Sequence, residues 1–507
     1  MLTLGYHWRP MPASPIYSTS GIRELEARAG GTGRLMERAG LAAAELARKL
    51  CGDDAKSILV VAGPGNNGGD ALEAAAHLKR WFFRVSVVFA GEREKLPRDA
   101  RAALGKWEAA GGTLLPGIPD AERFDLAIDG LFGIGLKRPL AGRHAALVEA
   151  LNALRVPVLA LDIASGIDAD TGAVMGCAVR ASHTITFIAY KPGQLTLDGP
   201  DHCGELTLDT LGLDPPKLLA PEGELLGADA LATALSPRPR NFHKGQAGSV
   251  GILGGASGMV GAAVIAGRAA LRCGAGRVYL GLLASRAPKL DAANPELMLR
   301  APRALLEKGL LDVLVAGPGM GKSEASARAL RAALAAPVPL VLDADALNLV
   351  GGRRALAEAA AKRKAATLVT PHPAEGARLL GESTRAVQAD RVAAAKGIAK
   401  RYRSLALLKG NGSVIAEPGG KFWINPTGNP GMASAGMGDA LAGIVAALCA
   451  QGAAPLAAML AGVYLHGAAA DALAAAGTGP VGITASEVID SARSILNAQN
   501  LKPSLAP

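Results

Sequence analysis

Short apolar runs alternate with stretches of helical spacing along most of the chain. Ser57–Ala62 and Arg84–Ala90 have the length and composition of strands, and Ala71–Trp81 between them has the spacing of a helix. Further strand-like runs lie at Val156–Leu161, Thr184–Ile188, Ser249–Leu253, Val313–Ala316 and Leu340–Leu342. Apolar strands that alternate with helices are typical of parallel sheets covered on both faces, so the pattern predicts an α/β fold.

The segment from Leu211 to Arg240 interrupts this alternation. Pro and Gly cluster there with little periodicity, which is typical of a linker. A chain of 507 residues is long enough for two or three domains. We therefore predict two domains, residues 1–222 and residues 223–507.

Composition argues against several classes of function. Aromatic residues make up only 4% of the chain, which disfavours recognition of nucleic acid by base stacking. The net charge of +10 is spread along the sequence and would help to attract a polyanionic small molecule. The five cysteines are far apart and form no Cys-x-x-Cys pair, which fits a reducing compartment. Residues 1–18 lack an apolar core of signal-peptide length, so we predict a cytoplasmic protein.

One uncharged stretch, Ala440–Ala470, is long enough to span a bilayer. It consists mostly of Ala and Gly, and Gln451, Pro455 and His466 interrupt it. We therefore predict two buried helices here and no membrane as a partner.

Polar residues follow three of the strand-like runs in the first domain. The loops are GPGNNGGD at Gly63–Asp70, DGLFGIGL at Asp129–Leu136 and DIASGID at Asp162–Asp168. One aspartate at a strand end is more often a helix cap than a catalytic group. Three such loops together favour a ligand site, because ligands gather at the carboxyl ends of strands in open parallel sheets.

The residue types in these loops suit an anion and a hard cation. Glycines allow backbone N–H groups to approach a phosphate at the start of the following helix. Asn67, Asp129 and Ser165 would supply oxygen ligands to the cation. Asp162 would act as a base for proton abstraction if burial raised its pKa.

In this order, the three motifs resemble the YjeF N-terminal domain, the NAD(P)H-hydrate epimerase, which is a Rossmann-like three-layer sandwich. The resemblance covers roughly residues 20–215 and includes LMERAG and YKPG. It implies interconversion of the R and S epimers of NADHX and NADPHX, the hydrates of NADH and NADPH. It also implies that K⁺ binds to Asn67, Asp129 and Ser165 and that Asp162 is the base. The residues implied to contact the hydrate are Asn66, Asn67, Gly68, Gly69, Asp70, Gly133, Ile134, Gly135, Leu136, Lys137, Arg138, Pro139 and Asp162. Ala71-Leu72 departs from the Gly-Tyr that the family usually has after the aspartate.

The most informative segment of the second domain is NPGMASAGMGD, which ends in Gly436-Met437-Gly438-Asp439. It precedes a helical pattern, whose first N–H groups would form an anion hole for a transferring phosphoryl group. Asp439 at the same point would take the proton from an attacking hydroxyl. Four residues alone are equally compatible with a simple helix cap.

Other loops of the second domain add candidate groups. Lys409–Ser413, KGNGS, offers a cation and a hydroxyl for nucleotide phosphates. Asp343 and Asp345 suit Mg²⁺ or a structural hydrogen-bonding role equally well. His372 lies between two prolines, a setting in which histidine is more often structural. A Walker-type phosphate loop is absent from the sequence.

The motifs HKGQAG, GPGMG, LDADALN, TPHPAE, KGNGS and NPGMASAGMGDALAG resemble the ribokinase-like NAD(P)H-hydrate dehydratase over about residues 224–497. The resemblance implies a ribokinase-like α/β domain that dehydrates the S-hydrate to NAD(P)H with Mg²⁺ and ADP, releasing AMP and phosphate. It implies Asp439 as the base and Gly438 as a nucleotide contact. The implied contacts of the ADP phosphates are Lys409, Gly410, Asn411, Gly412 and Ser413, and those of the hydrate are Ala262, Gly319 and His372. Departures from the family pattern are Ala374, Ala435 and Met437.

The two resemblances together predict a bifunctional metabolite-repair enzyme, in which one site supplies the epimer that the other consumes. The alternative is a ribokinase-like small-molecule kinase fused to a nucleotide-binding scaffold domain. A homo-oligomer, a preference for NADHX or NADPHX, and ATP in place of ADP stay open.

Overall fold

The structure is a computed structural model, and it describes residues 13–30, 32–52, 56–119, 122–234 and 237–500. They form two compact units, residues 14–224 and residues from 225 onward. The prediction about an export signal concerns residues 1–18, of which residues 1–12 lie outside the described residues.

The first unit is a seven-stranded parallel sheet with helices on both faces. The strands of this sheet are β2 (Ser57–Ala62), β3 (Arg84–Phe89), β4 (Leu114–Leu115), β5 (Leu126–Gly130), β6 (Val158–Leu161), β7 (His183–Phe187) and β8 (Glu205–Asp209). The short strand β1 (Ser14–Ile16) precedes them in the chain and is not part of this sheet. Its helices are α1 (Thr19–Arg28), α2 (Thr32–Cys51), α3 (Asn66–Arg80), α4 (Arg98–Ala109), α5 (Gly142–Ala153), α6 (Pro192–Leu195), α7 (Gly199–Cys203) and α8 (Pro215–Leu218), with a 3₁₀ turn at Arg93–Lys95.

The sheet of the first unit has the order β4-β3-β2-β5-β6-β7-β8. Side chains of β2 alternate between two cores: Ile58 and Val60 belong to one, and Leu59 and Val61 to the other. A strand buried on both faces requires helices above and below it. The predicted three-layer α/β sandwich is therefore confirmed.

The second unit contains a larger, mixed sheet. Its strands are β9 (Gly223–Leu225, at the unit boundary), β10 (Ser249–Gly254), β11 (Arg277–Leu282), β12 (Met298–Arg300), β13 (Val313–Ala316), β14 (Leu340–Leu342), β15 (Thr367–Val369), β16 (Leu405–Leu408), β17 (Ser413–Ala416) and β18 (Phe422–Asn425). Its helices are α9 (Asp229–Ala232), α10 (Val260–Arg272), α11 (Pro302–Leu305), α12 (Glu324–Ala335), α13 (Ala344–Gly352), α14 (Arg354–Ala361), α15 (Pro373–Leu380), α16 (Thr384–Ala389), α17 (Arg391–Tyr402), α18 (Met437–Ala450), α19 (Pro455–Ala475) and α20 (Ala485–Asn500), with a 3₁₀ turn at Pro430–Met432.

Strands β10 to β18 lie in the order β18-β17-β16-β15-β14-β13-β10-β11-β12. Pairing is parallel from β12 to β16 and antiparallel at β16-β17-β18. Parallel strands bring the loops after β14, β15 and β16 to the same edge of the sheet. This edge carries the candidate residues of the second unit.

The uncharged stretch forms two helices, α18 and α19, as predicted. Every residue of α18 from Ala440 to Ala450 is buried, and helices that are apolar on all sides belong in a core. Helix α19 is long and apolar enough to cross a membrane, but 72% of its apolar window is buried inside the structure. Burial of this kind is what a core helix shows.

The predicted linker is not irregular chain throughout, so that prediction was wrong in part. It contains helix α8, strand β9 and helix α9. Pro215 at the start of α8 has the backbone geometry of a first helical turn, and the Tyr17 hydroxyl donates a 2.7 Å hydrogen bond to the Leu219 carbonyl. Packing at these points outweighs the Pro- and Gly-rich composition.

Candidate active sites

In the first unit, the loops after β2, β5 and β6 surround one cavity of about 480 Å³. These strands are neighbours in a parallel sheet, so their carboxyl ends meet at the same edge. Of the predicted hydrate contacts, the cavity is lined by Asn66, Asn67, Asp70, Gly133, Ile134, Gly135 and Asp162. The sequence therefore located the cavity through three of its loops.

Asp162 follows β6 directly and has a left-handed backbone, with φ of +67°. Two backbone contacts hold it there: its N–H donates to the Ile185 carbonyl at 2.7 Å, and its carbonyl accepts from Gln194 Nε2 at 2.6 Å. Its carboxylate pairs with Lys191 Nζ and accepts a 3.3 Å hydrogen bond from the Ile134 N–H. A strained, doubly anchored aspartate facing a cavity is typical of a functional site.

Lys191 is the partner that sequence reasoning missed. Its side chain is fully buried, and Nζ also donates to Thr186 Oγ1 at 2.8 Å and to the Phe187 carbonyl at 2.9 Å. All three ammonium protons are therefore used, which fixes the position of the charge. The motif YKPG contained this residue, but nothing in the sequence indicated that its side chain returns to Asp162.

Asn67, Asp129 and Ser165, the predicted cation ligands, lie on these same loops. Asp129 is fully buried, and burial raises its pKa to about 6 although it accepts hydrogen bonds. The Ser165 hydroxyl donates to Asp129 Oδ1 at 2.7 Å and the Ser165 N–H donates to Oδ2 at 2.8 Å. The Asn67 amide is buried with neither its oxygen nor its nitrogen hydrogen-bonded. An unsatisfied buried amide on a loop that neighbours a buried carboxylate in the sheet order fits a cation with oxygen ligands.

Two further carboxyl groups face the cavity, Asp70 on α3 and Glu26 on α1. Burial raises the pKa of Asp70 well above its usual range, and the charge of Asp162 raises it further. Burial also raises the pKa of Glu26, with Asp162 again adding to the shift. No sequence signal pointed to Glu26, because it belongs to an ordinary amphipathic helix.

Some predicted contacts do not line the cavity. Gly68 and Gly69 are buried in close packing, where a Cβ would lie 2.0 Å from the Gly63 carbonyl oxygen and 2.7 Å from Met36 Cε, respectively. The other predicted contacts absent from the lining are Leu136, Lys137, Arg138 and Pro139, the last three of which are exposed. The departures Ala71 and Leu72 are fully buried in the core and do not line the cavity.

In the second unit, Gly438 and Asp439 lie in the first turn of α18, whose N-cap Gly436 has φ of +89°. Burial raises the pKa of Asp439 to about 6, and the negative charge of Asp343 adds to the shift. The unpaired N–H groups of a helix start favour an anion. Asp439 therefore combines the position and the proton affinity of a general base.

Lys409 lies next to this helix start. A Cβ at Gly438 would lie 3.1 Å from Lys409 Nζ, so the glycine leaves room for the ammonium. Nζ donates to Asp343 Oδ1 at 2.8 Å, and Thr370 Oγ1 donates to the same oxygen at 2.7 Å. Burial lowers the pKa of Lys409, but the surrounding carboxylates, Asp343 foremost, outweigh it and raise that pKa above its usual value.

The two strand-end carboxylates, Asp343 and Asp345, have protein partners. The carboxylate of Asp345 accepts from the Gly321 N–H at 2.9 Å. Of the two roles the sequence left open, these contacts favour the structural one. Among residues 13–30, 32–52, 56–119, 122–234 and 237–500, no group of three or more His, Cys, Asp or Glu side chains could hold a metal ion.

His372 caps α15 together with Glu375. The Ala374 N–H donates to His372 Nδ1 at 3.1 Å, and the His372 N–H donates to Glu375 Oε2 at 2.9 Å. Burial lowers the pKa of His372, and the charge of Lys409 lowers it further. The ring is half exposed, so its capping role leaves one face open to a ligand.

The remaining predicted residues lie on three other elements of the second unit. Gly410, Asn411 and Gly412 connect β16 to β17, which begins at Ser413, while Gly319 follows β13 and Ala262 lies in α10. A Cβ at Gly410, where φ is +142°, would lie 2.8 Å from the buried guanidinium of Arg391. Gly410 N–H and Ser413 Oγ hydrogen-bond at 3.2 Å, which closes the loop that contains Asn411 and Gly412. Gly319 packs against Ala262: a Cβ added at position 319 would lie 3.1 Å from the Cβ of Ala262.

The departures from the family pattern have different surroundings. Met437 is buried in the core, so its side chain points away from the helix start. Ala435 is exposed on the preceding loop, and Ala374 lies in the first turn of α15. None of these side chains occupies the space between Lys409 and Gly438.

Comparison with known proteins matches both units. A family model described as YjeF-related protein N-terminus matches residues 32–193, and one described as NAD(P)H-hydrate dehydratase matches residues 250–492. A crystal structure of an ADP/ATP-dependent NAD(P)H-hydrate dehydratase from Bacillus subtilis, co-crystallised with ATP and Mg²⁺, is 32% identical, with a TM-score of 0.47. It covers 53% of this chain and 95% of its own.

Two curated relatives match almost the whole chain. The bifunctional NAD(P)H-hydrate repair enzyme Nnr of Coxiella burnetii is 39% identical over 95% of this chain and 99% of its own length. The enzyme of the same name from Escherichia coli is 40% identical over 92% of this chain and 90% of its own length. With both family models matched in one chain, this protein belongs to the family of bifunctional NAD(P)H-hydrate repair enzymes.

Proposed function

We propose that the first domain, residues 1–222, epimerises NADHX and NADPHX, and that the second, residues 223–507, dehydrates the S-epimer with ADP. The observation that carries the second assignment is Asp439 in the first turn of α18, next to Gly438 and the ammonium of Lys409. That arrangement offers a base, an anion hole and a cation to one transferring phosphoryl group. A cytoplasmic location is part of the proposal and rests on the five unpaired cysteines.

In the dehydratase, Asp439 would accept the proton of the C6 hydroxyl while the oxygen of that hydroxyl attacks the β-phosphorus of ADP. The bond to the AMP oxygen breaks, and AMP leaves. Phosphate then leaves C6 with the electrons of the C–O bond, C5 loses a proton, and the C5=C6 double bond of NAD(P)H is restored. Lys409, held by Asp343, would stabilise charge on the phosphoryl oxygens.

The nucleotide would bind through Lys409–Ser413, whose loop is closed by the contact between Gly410 and Ser413. Mg²⁺ commonly binds through substrate phosphates, one or two carboxylates and water. The partnered state of Asp343 and Asp345 fits that mode better than a cage made by the protein alone. Mg²⁺ would neutralise phosphate charge.

In the epimerase, Asp162 would act on the C6 hydroxyl of a hydrate bound in the cavity. K⁺ would be held by Asn67, Asp129 and Ser165, and the unsatisfied Asn67 amide is the observation that supports it. Bound there, K⁺ would supply positive charge to an anionic part of the hydrate. Lys191 keeps the Asp162 carboxylate in place through the ion pair between them.

The test is a repair assay on a mixture of R- and S-hydrates with K⁺, Mg²⁺ and ADP. Complete conversion to reduced nicotinamide, with AMP and free phosphate, supports both assignments. Conversion that stops at the S fraction contradicts the epimerase assignment. A stable phosphorylated product without reduced nicotinamide contradicts the dehydratase and supports the kinase alternative. Repeating the assay with ATP identifies the donor.

A further inference from the structure

The cavity of the first unit contains three carboxyl groups, but the epimerisation proposed above uses only one of them as a base. Asp162, Asp70 and Glu26 all line it. Asp162 is bonded to the ammonium of Lys191, which holds its carboxylate in place at the cavity. Inversion of C6 through opening of its bond to the ring nitrogen N1 also needs a group that gives a proton to N1.

We propose that Asp70 is that proton donor, a second catalytic residue of the epimerase. This rests on the proposed function of the first unit. Asp70 lies on α3, one turn beyond Asn66 and Asn67, and it lines the cavity together with Asp162. Within the described part of the chain, no hydrogen bond or ion pair to another residue reaches this carboxyl. It is therefore available to a ligand.

The charges around Asp70 favour its protonated form. The negative groups that act on it are Asp162, Glu26 on α1 and Glu73 on its own helix. Glu73 is committed to Lys106, with 2.6 Å between Nζ and Oε1. Burial is the largest cause of the raised pKa of Asp70, and no cation opposes it.

Glu26 is the competing donor, and its surroundings differ. The pKa of Glu26 is raised mainly by burial, but the positive charges of Lys191 and Arg23 oppose the shift. Arg23 lines the cavity beside it. Glu26 is thus closer to the ionised form than Asp70, and a carboxylate cannot give a proton.

The chemistry balances with one base and one acid. C6 of the hydrate carries a hydroxyl and is bonded to the ring nitrogen N1. Asp162 accepts the hydroxyl proton, and the electron pair of the O–H bond forms C6=O. The electron pair of the C6–N1 bond passes to N1, and N1 takes the proton of Asp70. Rotation about C5–C6 presents the other face of the aldehyde. N1 then returns its proton to Asp70 as it re-forms the bond, and Asp162 returns the other proton to oxygen.

The experiment measures epimerisation of purified R-hydrate by the full chain with K⁺ and without ADP. For Asp70→Asn we expect kcat to fall about 100-fold, with KM changed by less than about 3-fold, because an amide binds but gives no proton. In the wild type, kcat falls at high pH as Asp70 ionises, and this alkaline limb disappears in the variant. Asp201→Asn, an exposed carboxyl on α7, is the matched control and keeps both rate and limb.

Several results would overturn the inference. If Asp70→Asn keeps its rate and alkaline limb while the wild type epimerises, Asp70 is not the donor. If Glu26→Gln removes the limb instead, the donor is Glu26. Incorporation of ¹⁸O from labelled water at each turnover would contradict ring opening. A wild type that does not epimerise at all contradicts the proposed function itself, which separates the two failures. Circular dichroism and thermal melting of Asp70→Asn must match the wild type, since an unfolded variant would lose binding as well as kcat.

Discussion

Both units place an aspartate near the carboxyl edge of the parallel strands with a lysine close by, fully buried in the first unit and partly exposed in the second, but the lysine has a different partner in each. In the first unit, Lys191 bonds directly to Asp162. In the second, Lys409 bonds to Asp343, and within the part of the chain that the structure describes no lysine or arginine forms an ion pair with Asp439. The direct ion pair fixes the position of the Asp162 carboxylate, whereas burial and the negative charge of Asp343 raise the pKa of Asp439. The same two residue types thus form a direct ion pair at one site and an indirect arrangement through Asp343 at the other.

Among the variants that test this comparison, Asp439→Asn has the largest expected effect on kcat. We expect the dehydratase kcat to fall by about 1,000-fold, because an amide cannot accept the hydroxyl proton. Steady-state formation of reduced nicotinamide from the S-hydrate measures the loss. Epimerisation of the R-hydrate by the same preparation is the internal control and stays at the wild-type rate. A variant with more than a tenth of the wild-type dehydratase rate would exclude Asp439 as the base.

Lys191→Met tests the direct pair. Loss of a fully buried partner leaves the Asp162 charge unpaired, which costs about 3–5 kcal/mol of folding stability. We expect a lower melting temperature and about 100-fold slower epimerisation in the fraction that stays folded. Lys217→Met, which removes an exposed lysine paired with Asp214, is the matched control. Equal melting and rate in both variants would show that the ion pair has no role.

Asp343→Asn tests the indirect arrangement. In the wild type, the dehydratase kcat should rise with pH through about 6, because Asp439 must lose its proton and its pKa is about 6. Removing the negative charge of Asp343 lowers that pKa, so the acid limb should move to lower pH. We also expect about a 10-fold loss of kcat as Lys409 loses its anchor. Asp490→Asn, an exposed carboxyl, should leave the profile unchanged, and an unmoved acid limb in Asp343→Asn would contradict the coupling.

The smallest effect is expected for Ala435→Gly, which restores the usual family residue. Ala435 is exposed and its side chain lies outside the space between Lys409 and Gly438. We expect the dehydratase kcat to stay within about 2-fold of the wild type, since exposed substitutions away from a site have small effects. Single-turnover measurements detect such a change. A large gain would show that the alanine narrows the anion hole.

Sequence reasoning located the loops better than it located the side-chain partners. Strand ends are marked by apolar runs that stop at Asp129 or Asp162, and parallel pairing then brings these ends together. The return of Lys191 to Asp162 depends on the path of the chain after β7, which no spacing encodes. Glu26 reaches the cavity only because α1 packs over it. The linker prediction failed in part for the same reason, since burial of Leu225 depends on long-range packing.

The left-handed backbone at position 162 also limits the evolutionary options of the first unit. Outside glycine, that conformation is common only for aspartate, asparagine and histidine. In the genetic code, codons for asparagine, glycine and histidine each differ from an aspartate codon by a single base. One such change would keep the backbone conformation at position 162, but it would remove the carboxylate and leave the buried Lys191 ammonium without its partner. A lineage that lost the carboxylate in this way would therefore also need to replace Lys191 to keep a stable fold.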